Sequence, residues 1–134
     1  MNKLFSELES TKCFTNLNAY NKIYSLILDC FFVLDNCSSD NKSIFNIILD
    51  TKDNCFNLLN NLAIGYNKYH KEDKLCFYNL SRDCLSKIQS QLILLNSFNI
   101  IDYEKTLFLI RELQDKLKLF NGTIRKIENL NPQK

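Results

Sequence analysis

The chain carries six cysteines, at positions 13, 30, 37, 55, 76 and 84, and a single histidine, His70. Thiols and imidazoles hold zinc, exchange disulfides or attack electrophiles, and each of those chemistries demands its own spacing. No two of these cysteines form a C-x-x-C pair, and one imidazole cannot supply the partners that a structural zinc site needs. Cys30, Cys55 and Cys84 fall on apolar helical stripes, where a thiol serves as a small hydrophobe. The start MNKLFSELES has acids where an export signal would have its apolar stretch. The thiols are therefore expected to stay reduced, in a cytoplasmic protein. His70, in a charged turn, reads as a solvated residue rather than a general base. There is no glycine-rich phosphate loop and no nucleophile elbow, and a di-iron bundle centre would need two Glu-x-x-His units. The expectation is a protein that is not an enzyme and holds no cofactor or metal.

Cations are the other candidates for chemistry, through phosphates. The net charge is only +2, so a basic site must be local. Two groups stand out. Lys68, Lys71 and Lys74 surround one turn, and Arg111, Lys118, Arg125 and Lys126 belong to the stretch from Lys105 to Lys134, where seven basic residues face three acidic ones for a net +4. These seven are the candidate nucleic-acid contacts, with an affinity that should fall steeply with salt. The competing reading is that they solvate helix surfaces and complement the negative C-terminal ends of helices.

Four amphipathic helices must position these residues. Tyr20, Ile23, Ile27, Phe31 and Leu34 recur at spacings of three and four over about 18–34, and DNCSSDNKS breaks the pattern. Ile44, Ile48, Cys55, Leu59, Leu62 and Tyr66 mark a long helix over about 42–69, with Gly65 near its end as a bend or a stop. After YHKED, Phe77, Leu80, Cys84, Ile88, Leu92 and Leu95 define a third over about 72–96. Asp102 is a natural N-cap, with Glu104 suited to the positive end of the dipole, for a fourth over 103–128. Its stripe is Ile110, Leu113, Leu117, Phe120, Ile124 and Ile127. Short connections favour an all-α, antiparallel up-down-up-down four-helix bundle in a single domain over residues 1–134. Residues 1–16 form an arm or a short helix, and 129–134 a frayed tail. No apolar run approaches the ~20 residues that a membrane span requires.

Glycine costs a helix interior roughly 0.5–1 kcal/mol relative to alanine, so Gly122, inside the fourth pattern, needs a reason. At 100° per residue it points almost opposite that helix's core stripe. Phe108 and Leu119 share this back face with Arg111, Asp115, Lys118 and Lys126. A glycine flanked by hydrophobes on an outward face suits a second packing surface, so Phe108, Leu119 and Gly122 are the candidate self-association residues. The alternative is a solvated face with two stray hydrophobes.

The segment KEDKLCFYNLSRDCLSKIQSQLILLNSFNIIDYEKTLFLIRELQDKLKLFNGTIRKI has a charged turn, a helix ending in Gln91, Leu92, Ile93, Leu94 and Leu95, and a short loop into Ile100–Glu104. Its last helix closes on Leu119, Gly122, Ile124 and Lys126. In this order it resembles a bacterial four-helix-bundle group, comprising the Avd accessory variability proteins of diversity-generating retroelements and the intervening-sequence proteins of large-subunit ribosomal RNA. The likeness covers roughly residues 19–127, and the AYNKIYSLIL start and the Lys68, Lys71 and Lys74 surroundings suit the Avd branch. It implies a homopentameric barrel that works with a reverse transcriptase and its template RNA. A ring of identical bundles uses two different faces of each subunit, which is the second surface inferred from Gly122. Avd proteins are typically strongly basic, and this chain departs from them in charge. The other expectations are an intervening-sequence protein and a protein-only oligomeric scaffold.

Overall fold

The computed structural model describes residues 3–130 and is all-helical, without strands among them. A short α1 (Lys3–Glu7) and a 3-10 turn (Phe14–Asn16) precede four long helices: α2 (Asn18–Asp35), α3 (Lys42–Asn67), α4 (Lys71–Ser97) and α5 (Tyr103–Glu128). The arm is docked rather than loose: the Phe5 ring lies 4.9 Å from Tyr24 and 6.0 Å from Tyr20. The part of the expected tail beyond Leu130 lies outside the described residues.

Helix boundaries follow local chemistry. The Asn41 side chain accepts from the Ile44 N–H at 3.1 Å and Asp102 accepts from the Lys105 N–H at 2.7 Å, each satisfying a donor that a helix start leaves without a partner. The turn before α5 needs Asn99 at φ 61°, a left-handed conformation that asparagine tolerates better than most residues. Asp102→Ala should cost about 1 kcal/mol, read as a lower urea midpoint with an unchanged slope.

The four long helices enclose one core, with α2 and α4 each flanked by α3 and α5. Ile23, Ile27, Ile48, Leu62, Leu85, Ile88, Leu92, Leu113 and Phe120 are fully buried in it. The α3–α4 pair is the most extensive. Early residues of α3 meet late residues of α4: Gln91 donates to Asp50 at 2.6 Å and accepts from Asn54 at 2.9 Å. Further along, the Ser81 hydroxyl donates to the Leu58 carbonyl at 2.5 Å, and Gly65 lies against Tyr78.

Two readings of α3 and α4 need correction. Gly65 neither stops nor ends α3, which runs on to Asn67; it is buried, and a Cβ there would stand 2.8 Å from Tyr78 Cε1. Leu80, placed on the core stripe, is exposed. The inward positions go to Tyr78, Ser81 and Leu85, because glycine and serine let the helices approach more closely than leucine would. Phe31 likewise sits at the α2–α3 edge, half-buried, with its ring 5.0 Å from that of Phe56.

Candidate functional surface

On α5 the core stripe turns Leu109, Leu113, Phe120 and Ile124 inward. The opposite side therefore faces solvent, and it carries Phe108, Arg111, Asp115, Lys118, Gly122 and Lys126, all exposed, with Leu119 half-buried at its edge. Phe108 is 58% exposed, well beyond what a bundle needs to spare. Nothing lies within 4 Å of a Cβ built on Gly122. That opening is part of a shallow groove where Leu119, Gly122, Thr123 and Lys126 meet Leu17 and Asn18 at the start of α2. A second groove along the α4-facing edge of α5 is lined by Ile110, Arg111, Gln114, Asp115, Lys118 and Asn121. Lys118 borders both.

Among the described residues, the side chains of Arg111, Lys118, Arg125 and Lys126 have no ion-pair or hydrogen-bond partner. The neighbouring acid Asp115 lies 3.9 Å from Lys116. These four cations are thus available to a ligand, and Arg125 and Lys126 also complement the C-terminal end of α5.

The three lysines of the α3–α4 turn are placed differently. Lys74 donates to the Tyr66 carbonyl at 2.7 Å and to that of Gly65 at 3.3 Å, closing the end of α3, and burial draws its pKa below the ordinary lysine value. Lys71 donates to the Leu130 carbonyl at 3.1 Å, which brings the turn beside the end of α5. Lys68 lies 5.2 Å from the centre of the Phe77 ring. So the fold gathers Lys68, Lys71, Lys74, Arg125 and Lys126 at one end of the molecule, while Arg111 and Lys118 stand along the side. His70 is the exposed N-cap residue of α4 and makes no side-chain cap bond.

All six cysteines are free thiols, and among the described residues no three His, Cys, Asp or Glu side chains gather as a metal-binding group. Cys30, Cys55 and Cys84 are buried, one each on α2, α3 and α4. Desolvation raises the pKa of all three, that of Cys55 to about 12.

A surface that the periodicity did not single out lies on α2 and α3. Phe32, Phe45, Leu49 and Phe56 are 57, 41, 43 and 47% exposed. The spacing of Phe45, Leu49 and Phe56, four and then seven, was visible as a second apolar stripe beside the core stripe of α3. No helix of the described residues is long and apolar enough to cross a membrane.

No protein-family model, curated protein or solved structure matches this chain.

Proposed function

We propose that this chain is a non-enzymatic accessory protein that binds nucleic acid beside a reverse transcriptase, as the Avd proteins it resembles do. Its working unit on this reading is an antiparallel up-down-up-down four-helix bundle, five of which close into a homopentameric barrel. The observation that carries it is the outer face of α5: exposed Phe108 and half-buried Leu119 lie beside Arg111 and Lys118, whose charges no described residue neutralises. The up-down order is supported by the pairing of early α3 with late α4, and of Arg82 with Asn121 and Gln89 with Gln114 between α4 and α5.

The test is fluorescence anisotropy of a labelled single-stranded RNA at two salt concentrations. Four unpaired cations, at about 0.7 of a counterion released per phosphate contact, predict an affinity roughly 50-fold weaker at 200 mM than at 50 mM salt. Changing Arg111, Lys118, Arg125 and Lys126 to glutamine should flatten that dependence. Absence of binding at 50 mM by an intact oligomer would overturn the nucleic-acid reading. It would leave the protein-only scaffold, which the internal engagement of Lys68, Lys71 and Lys74 favours.

A further inference from the structure

Among the described residues, one buried side-chain oxygen has no hydrogen-bond partner: the hydroxyl of Thr15, a residue only 5% exposed. Such groups are rare in folded proteins, and each calls for an explanation. This hydroxyl faces the sulfur of Cys13, two residues earlier in the turn that joins α1 to α2. The Thr15 hydroxyl first, and the Thr15 and Phe14 N–H groups with it, hold the Cys13 thiol below its ordinary pKa of 9.0. A neutral thiol is a weak acceptor and leaves the hydroxyl without a bond. A thiolate, or an anionic oxygen carried on the sulfur, is a strong one.

The turn holds hydroxyl and sulfur in register because it is pinned from both sides. The Cys13 N–H donates to the Thr11 carbonyl at 2.7 Å, and the Cys13 carbonyl accepts from the Asn16 N–H at 3.0 Å. The Asn16 side-chain amide donates to the carbonyls of Thr11 at 2.6 Å and Glu9 at 3.3 Å, and that of Asn21 donates to the Thr15 carbonyl at 3.3 Å. Cys13 itself is half-buried, so small solutes reach its sulfur. Tyr20 is the titratable neighbour: burial first, then the charges of Tyr24 and Cys13, raise its pKa above the ordinary 10.0, so at neutral pH it does not oppose a thiolate. The other thiols are set differently. Cys30, Cys55 and Cys84 lie in the core, and Cys37 donates to the Val33 carbonyl at 3.1 Å, with burial raising its pKa.

We infer that Cys13 is a reversible oxidation site for hydroperoxides, and that the buried Thr15 hydroxyl is the partner of its oxidised form. The thiolate sulfur attacks one peroxide oxygen; the S–O bond forms, the O–O bond breaks, and the other oxygen leaves as hydroxide or alkoxide and takes up a proton. Sulfur is oxidised by two electrons and the peroxide is reduced by two. The sulfenate oxygen on Cys13 then accepts the hydrogen bond that Thr15 has to give. A low-molecular-weight thiol restores the site: it attacks the sulfenic sulfur with loss of water, and a second thiol displaces the first as a disulfide. This is independent of nucleic-acid binding and of self-association.

The full chain, treated with hydrogen peroxide in the presence of dimedone, tests it, with the adducts at each cysteine quantified by peptide mass spectrometry. Dimedone traps sulfenic acids. Cys13 should be labelled several-fold faster at pH 7 than Cys76, which is exposed and serves as the internal comparator. Thr15→Val keeps the shape and removes the hydroxyl, so it should bring Cys13 down to the Cys76 rate and move the pH profile of Cys13 alkylation by iodoacetamide upward. Thr15→Ser, which keeps the hydroxyl, should retain most of the rate. Circular dichroism confirms that both variants are folded. Labelling of Cys13 no faster than that of Cys76 in the parent, a comparison that needs no variant, would overturn the site. An undiminished rate in folded Thr15→Val would overturn the role of the hydroxyl.

Discussion

Gly65→Val is expected to destabilise the protein by roughly 3 kcal/mol, enough to unfold a large share of it in mild denaturant. A Cβ at this position would stand 2.8 and 2.9 Å from the Tyr78 ring and 3.1 Å from Phe77 Cβ. Tyr78 is 2% exposed, so its ring has no free space to swing into. Alanine would gain about 0.5–1 kcal/mol of helix propensity, but overpacking costs about 1–3 kcal/mol, so Gly65→Ala should still lose stability. Valine adds two methyl groups to the same collision and gives up most of the propensity gain. Gly122→Ala is the control: with open space around it, the substitution should stabilise the bundle by about 0.5–1 kcal/mol. Urea midpoints followed at 222 nm would report all three. A Gly65→Ala protein as stable as the parent would mean that this glycine does not set the separation of α3 and α4.

The second large effect is alkaline. Cys30 and Cys55 have an ordinary pKa of 9.0, and burial raises both, Cys55 to about 12. Below pH 9 the thiols keep their protons whether the chain is folded or not, and their contribution to stability is whole. Above it the unfolded chain releases protons that the folded chain retains, so stability falls by about 1.4 kcal/mol per pH unit for each group, until the folded pKa is reached. Between pH 9 and 11 the two together should remove roughly 5 kcal/mol. Tyr78, raised by burial from 10.0 to about 12, adds to the loss above pH 10. Lys74 and Cys13 act in the opposite sense. Burial lowers the lysine, and the Thr15 side chain and N–H lower the cysteine, but both groups are too exposed to compensate. Urea midpoints taken from pH 7 to 11 should drop steeply beyond 9, and Cys30→Ala/Cys55→Val should flatten the drop. A flat profile in the parent would show that water or local opening reaches these thiols.

Much of the architecture was legible because amphipathic stripes of 18 to 27 residues leave little choice of element, and because Asp102 marks a helix start by chemistry. Asp102 and Tyr103 stand where the start of α5 was read. What sequence periodicity missed is instructive at Gly65, Ser81 and Leu80. A hydrophobic pattern ranks leucine above serine for an inward position, yet the distance between two helix backbones decides which fits, and that distance depends on both partners at once. The candidate surface divided in the same way. The outward direction of Gly122 followed from rotation alone, whereas the engagement of Lys71 with Leu130 joins residues 59 apart in the chain and no local pattern could announce it. The α2–α3 aromatic strip escaped notice because Phe31 looked like a core residue when α2 was considered by itself.

The chain of amides and carboxylate between α3 and α4, Asp50 to Gln91 to Asn54, works as a key against sliding. Helices of 26 and 27 residues lined with aliphatic side chains could slip past each other by one turn, about 5.4 Å, with little loss of greasy contact. Such a slip would set the Asn54 amide opposite Leu95 instead of Gln91 and strand its donors away from water, at about 1–3 kcal/mol. It would also pull Tyr78 out of the notch that Gly65 leaves for it. Polarity at one point and smallness at another therefore give this pair a single seating, and anything that docks along the bundle meets a surface whose spacing does not drift.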